Sequence, residues 1–221
     1  MSGAVDLAQE IIDLEEREEF VHALTHGFGL IASMIGSAIL VSAAWTRGDV
    51  WHGIGCTVFS TSLVLVYAAS TLYHGSHQPA RKRIFQRMDH LAIYFLIAGT
   101  YTPFTLAKMQ WPDGLYLLTA EWTLAAIGIA YEFVQKSEGR FGALVIYNLM
   151  AWMMVLAGGP LLGSVETGGA ILLVLGGVSY TVGIAFYLWD SLPFNHAIWH
   201  GFVLAGSAFH FGAVLGFVVP A

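Results

Sequence analysis

Apolar segments close to the length of a bilayer crossing limit what this chain can fold into more than any motif does. Seven are read at residues 22–45, 51–74, 88–108, 113–134, 141–162, 168–189 and 196–218. A helix needs about 20 mostly apolar residues to cross the hydrocarbon core. These stretches are too long for membrane β-strands, and in lipid the backbone must satisfy its own hydrogen bonds, so helices are expected. Charged residues make up 11% of the chain, against about 25% in soluble domains. The expectation is an all-α integral membrane protein: a seven-transmembrane helix bundle over 22–221, preceded by a segment 1–21. Glycine and serine recur in the spans, which suits close helix packing, and Pro103 is expected to kink the third.

The segment before the first span holds seven of the 15 acidic residues: Asp6, Glu10, Asp13, Glu15, Glu16, Glu18 and Glu19. Leu7, Ile11 and Leu14 recur at helical spacing among them. A short N-terminal amphipathic helix is expected, with a frayed tail as the alternative. Its acidity argues against tight docking on an anionic leaflet and against a cleavable signal, which starts with positive charge. Cys56 is the single cysteine, so neither an internal disulfide nor a cysteine metal cluster is expected. No basic patch points to nucleic acid.

Seven crossings put the N-terminus on the side of Arg17, Arg81, Lys82, Arg83, Arg87, Lys136 and Arg140; Arg47 and Lys108 fall opposite. Seven against two predicts a cytoplasmic N-terminus. That topology sets His74, Asp89, His196 and His200 at one level near the cytoplasmic face, with His26 in the same layer. His196 and His200 are four residues apart, on one helix face, where both imidazoles reach one metal ion. Ionisable groups inside a bilayer are costly and usually functional. Three imidazoles leave one position of a tetrahedral zinc open, as in catalytic sites, and zinc lowers the pKa of a bound water to about 7. Asp89 is placed to orient that water or take its proton. Ser70, one turn before His74, is placed to hydrogen-bond the water or an oxyanion. The simpler readings are interfacial histidines bonded to lipid headgroups and a Ser70 hydroxyl bonded to its own helix.

Four stretches in order carry a resemblance: Ser70-Thr71-Leu72-Tyr73-His74, Arg83-Ile84-Phe85-Gln86-Arg87-Met88-Asp89-His90, Gly99-Thr100-Tyr101-Thr102-Pro103-Phe104, and His196 to His200. Together they resemble bacterial hemolysin III-type proteins. These are relatives of the progestin and adiponectin receptor (PAQR) family, within a wider group that includes alkaline ceramidases. The resemblance runs roughly from Glu18 to the end. It implies seven helices and a Zn2+ ion near the cytoplasmic face, with His74, His196 and His200 as ligands and Asp89 and Ser70 contacting the zinc-bound water. One departure is clear. The first family motif places Glu, two residues, Asn, two residues, Ser or Thr, then His; Glu19, Thr25 and His26 match it, but His22 stands where Asn is expected. His22 and His26 thus form a second four-residue pair, open to roles as rival ligands or a second metal site, with an interfacial histidine as the simpler reading of His22.

His210 lies ten residues beyond His200, so ~15 Å deeper along a helix. A cavity lining, a proton relay and a bond to a buried polar partner are its candidate roles. Glu121 is the better candidate of two acids in the fourth span for a functional polar contact; Glu132 lies near that span's cytoplasmic end. His90 is expected to face away from Asp89's partners, and His52 and His77 to be surface loop histidines. Three functions follow as expectations. The first is a zinc-dependent hydrolase acting on an amide or ester of a membrane lipid, in the bacterial inner (cytoplasmic) membrane. The second is a non-enzymatic sensor or regulator of membrane lipid homeostasis with a structural zinc. The third is a hemolysin-type pore, which the spans support poorly, since none shows the charge rings or long polar stripe of a water-filled path.

Overall fold

A computed structural model describes residues 2–135, 140–156 and 159–221, with the side chains of 2–9, 11, 12, 140 and 156 set aside. The described residues form helices α1 (Ser2–Arg47), α2 (Val50–His74), α3 (Pro79–Ala107), α4 (Asp113–Val134), α5 (Arg140–Ala151), α6 (Met153–Leu156), α7 (Pro160–Ser164), α8 (Thr167–Tyr187) and α9 (Asn195–Phe217). Five stretches are long and apolar enough to cross a membrane: Asp13–Arg47, Val50–His74, Asp113–Val134, Thr167–Tyr187 and Asn195–Phe217. The protein is an all-helical integral membrane protein.

The expected short helix and first span are one continuous helix, α1. No glycine or proline interrupts the chain from Ala4 to His26, and the Glu, Leu and Ala between are good helix formers. The Leu7 and Ile11 side chains lie outside those described. Within the membrane α1 is polar-inward. Phe20, Leu24, Phe28, Ile31, Ile35 and Ile39 are exposed along one face, while His22, His26, Gly29 and Ser33 are buried on the other. Such a helix faces lipid with its apolar side. After the turn at Gly48, Asp49 caps α2 by accepting from Trp51 N–H (2.9 Å) and His52 N–H (3.1 Å). The hydrogen bond from the His52 ring, with those backbone bonds, holds the Asp49 carboxyl below its ordinary pKa.

The third expected segment begins earlier, at Pro79. The α3 helix takes in Arg81, Lys82, Arg83 and Arg87, and its apolar half carries Thr100, Tyr101, Thr102 and Thr105. Those polar residues keep it out of the set of five, although it is 29 residues long. The helix continues through Pro103, which is buried against Gly55.

The fifth expected segment, 141–162, is divided into α5, α6 and α7. The hydroxyl of Tyr101, from α3, enters the first break. It lies 3.1 Å from the Met150 carbonyl and 3.0 Å from that of Ala151, and accepts from Met154 N–H at 3.1 Å. The phenol thus supplies polar partners where the helix ladder lapses, as buried backbone in lipid requires. The second break has Gly159 at φ 85°, a left-handed conformation that favours glycine, followed by Pro160. Residues 157–158, and the expected loop at Lys136-Ser137-Glu138-Gly139, lie outside the described residues.

Packing then sets the site. The α2 helix lies against α1 and α3, α8 lies against α9, and α9 crosses to touch α1. Glu18 on α1 accepts from Phe194 N–H at 2.8 Å, just where the chain enters α9. Phe194 itself takes φ 57°, a conformation costly to a residue with a Cβ. This contact ties the start of α9 to the stretch of α1 that carries His22 and His26.

Candidate metal centre

Four helices bring polar side chains to one layer: Glu19, His22, Thr25 and His26 from α1, Ser70 and His74 from α2, Asp89 from α3, and His196 and His200 from α9. On α1, residues 19, 22 and 26 share a face by the i, i+3, i+7 rule. On α2 and α9 the four-residue spacings of Ser70–His74 and His196–His200 do the same.

The nitrogens of His74, His196 and His200 lie within 4.8 Å of one another, one ligand atom from each. Two of these rings are held from behind. His74 Nδ1 donates to Glu19 Oε2 at 3.1 Å, which leaves Nε2 buried and without a partner. His200 Nδ1 lies 3.0 Å from Thr25 Oγ1, whose proton has two acceptors at 2.9 Å, the carbonyls of Val21 and His22. With its own proton on either carbonyl, Thr25 can accept from His200 Nδ1–H, which would leave His200 Nε2 as the bare nitrogen. A partner on one ring nitrogen that fixes the other as a ligand is the usual outer support of a metal histidine. The site could hold a divalent metal, and the orphaned His74 Nε2 fits that use.

Asp89 interacts electrostatically with His74 and with its neighbour His90, and Ser70 is within its hydrogen-bonding reach. Ser70 is buried, and its Oγ shares a 2.7 Å hydrogen bond with His26 Nδ1, either atom able to donate. His26 also stacks on His200, with centroids 3.4 Å apart and planes 10° from parallel. Neither Asp89 nor Ser70 is in the three-histidine group; they adjoin it through His74 and His26.

His22 is buried among the helices, and neither ring nitrogen has a hydrogen-bond partner. Its ring stands 4.9 Å from His74, 4.9 Å from His196 and 5.5 Å from His200. Glu19, His22 and His74 form a second group of metal-capable atoms. Glu19 is also paired with Lys82 Nζ at 3.0 Å. Sequence reading passed over the orienting roles of Glu19 and Thr25. The signal was there in the first motif, where each sits three residues from His22.

The remaining polar groups lie apart. His210 donates from Nε2 to the Leu173 carbonyl at 3.3 Å and lines a cavity of about 30 Å³ with Tyr101 and Tyr180. That volume suits a water or two and is separate from the histidine layer. Glu121 is fully buried, and both its carboxyl oxygens lack a partner. Glu132 accepts from Gln135 Nε2 at 2.9 Å and lies 3.8 Å from His90 Nδ1. His52 is engaged at the α2 cap.

Comparison with known proteins places this geometry in context. The family described as "Haemolysin-III related" matches residues 14–211. "Hemolysin-3" of Bacillus cereus is 43% identical over 204 residues, 92% of this chain and 93% of that one. "Hemolysin-3 homolog" of Bacillus subtilis (strain 168) is 41% identical over 203 residues, 92% and 95% of the two chains. The human "Monocyte to macrophage differentiation factor" is 29% identical over 203 residues, 89% and 83%.

Proposed function

The chain belongs to the haemolysin-III-related family, and from that premise we propose a zinc-dependent hydrolase acting within the membrane on an amide or ester bond of a lipid. One observation carries the reading: His74 and His200, from different helices, each have Nδ1 engaged from behind, by Glu19 and Thr25, while one nitrogen of each groups with one from His196 within 4.8 Å. Neutral imidazoles in this number suit zinc. In this reading α3 and the divided α5–α7 stretch complete seven crossings. The basic residues around Arg81 to Arg87 then mark the cytoplasmic side of the bacterial inner membrane, with the site just beneath it.

Zinc held by His74, His196 and His200 would supply Lewis acidity to the scissile carbonyl and acidify the attacking water. The chain does the rest. Asp89 takes the proton as water adds to the carbonyl carbon, then delivers it to the departing amine or alcohol as the C–N or C–O bond breaks. Ser70 donates to the developing oxyanion, oriented by His26. Glu19 and Thr25 keep the ligand rings in register. Acyl chains reach the site between helices. Lipid profiling of cells carrying wild type or His200→Ala tests the reading. Accumulation of a ceramide, acyl amide or ester, with loss of free fatty acid, is expected; unchanged lipid classes would refute hydrolysis.

The placement of His22 favours a second reading. A fourth imidazole where water is needed turns the centre toward a structural one that holds α1, α2 and α9 together. A non-enzymatic regulator of membrane lipid homeostasis would use zinc in that way. Removing metal would then lower the melting temperature in detergent with no turnover lost.

A further inference from the structure

We infer that His22 is a fourth ligand of this centre, so that imidazoles from α1, α2 and α9 close the metal's coordination shell and admit water only when His22 withdraws. The inference rests on the metal-binding part of the proposed function and not on hydrolysis.

Ring geometry is the first support. Zinc–nitrogen bonds of about 2.1 Å, with the centroid about 1.1 Å beyond the nitrogen, put tetrahedrally arranged ring centroids about 5.2 Å apart. The three distances from His22 are 4.9, 4.9 and 5.5 Å. Those among the other three rings are 5.0, 5.1 and 4.6 Å. All six, from 4.6 to 5.5 Å, lie near the tetrahedral value, and all six pairs are inclined, by 58° to 70°. His26 is the contrast. Its ring lies parallel to His200 at 3.4 Å, too close to share an ion with it, and its Nδ1 is committed to Ser70.

Hydrogen bonding is the second support. A buried polar atom left without a partner costs about 1–3 kcal/mol. His22 has two such atoms in the middle of a polar layer. A metal ion satisfies one of them. In the present orientation the His22 nitrogens group with Glu19 and His74. Turning the ring about Cβ–Cγ toward the other histidines breaks no hydrogen bond, because it makes none.

A second ion between Glu19, His22 and His74 is the rival arrangement. It is disfavoured because Glu19 already serves His74 Nδ1 and Lys82 Nζ. The lysine ammonium beside that carboxylate repels an added cation.

The test uses the full chain purified in detergent, loaded with Co2+ as a spectroscopic probe or with Zn2+ for X-ray absorption, and azide as the probe of an open position. The wild type is expected to show four imidazoles per metal, one metal per chain, and a cobalt spectrum indifferent to azide. His22→Asn, which removes the imidazole but keeps a polar side chain, is expected to show three imidazoles plus oxygen and an azide-dependent spectral shift. Its metal affinity should fall by at least the roughly 10–100-fold typical of outer-shell changes. His22→Gln serves if His22→Asn misfolds, and the wild-type scattering decides alone if both do. Three imidazoles and an azide response in the wild type, or two metals per chain, overturn the inference while leaving metal binding intact. A wild type that holds no more metal than His74→Ala overturns both.

Discussion

Replacing Thr25 with valine isolates the support behind His200. The two side chains have nearly the same shape, so packing on α1 is kept. What is lost is the acceptor 3.0 Å from His200 Nδ1. The buried Nδ1–H then has two courses. It stays without a partner, at about 1–3 kcal/mol, or the proton moves to Nε2 and the bare nitrogen is lost to the metal. Either course falls mainly on the loaded protein, because the metal-free ring can change tautomer. The expected loss of zinc affinity is about 5- to 150-fold, which overlaps the roughly 10–100-fold seen for outer-shell partners. Competition with a chromophoric chelator in detergent measures it, with Thr25→Ser as the variant that keeps the oxygen and the affinity. Zinc affinity in Thr25→Val within twofold of wild type would falsify the assignment of Thr25 as the acceptor that orients His200.

Chelation of zinc from the purified protein should lower its melting temperature. At zinc 100-fold above Kd the stabilisation is about 2.7 kcal/mol, or about 5–10 °C for a chain of this size; a His74→Ala protein should show no such shift. Tyr101→Phe strands Met154 N–H at the break between α5 and α6, so a loss of about 1–3 kcal/mol is expected in thermal unfolding, and an unchanged midpoint would show that the hydroxyl is dispensable. Gly176→Ala sets a Cβ 2.4 Å from His210 Nε2 and should destabilise the α8–α9 pair; adding His210→Ala should recover much of the loss, and failure to do so would place the clash elsewhere. Glu121→Met removes a buried carboxyl with no hydrogen bonds and should hold or raise the melting temperature, whereas a marked drop would reveal a partner that the carboxyl serves.

Much of this was legible because membrane helices announce themselves locally. Apolar runs between charged turns gave α2, α4, α8 and α9 nearly to the residue, and four-residue spacing put His196 and His200 on one face. The convergence of His74 with them was expected from a count of seven crossings, where five stretches among the described residues are long and apolar enough to cross. What escaped was set by distant partners. Nothing within 141–162 states that Tyr101, some 50 residues earlier, will stand in the break after Ala151. The continuity of α1 escaped because a change from acidic to apolar composition looks like a boundary, although the backbone has no reason to stop there. The burial of His22 escaped for a related reason. Near the end of an apolar run a histidine suits water or headgroups as well as an interior, and only the approach of α9 to α1 decides.

Uninterrupted over 46 residues, α1 is about 69 Å long, roughly twice the thickness of a hydrocarbon core. It works as a stiff spar with Glu19, His22 and Thr25 partway along. A pull on its outlying end, from a bound protein or a crowded membrane surface, would be carried along a continuous helix. Through this lever, events well outside the lipid would register as a change in how four rings meet.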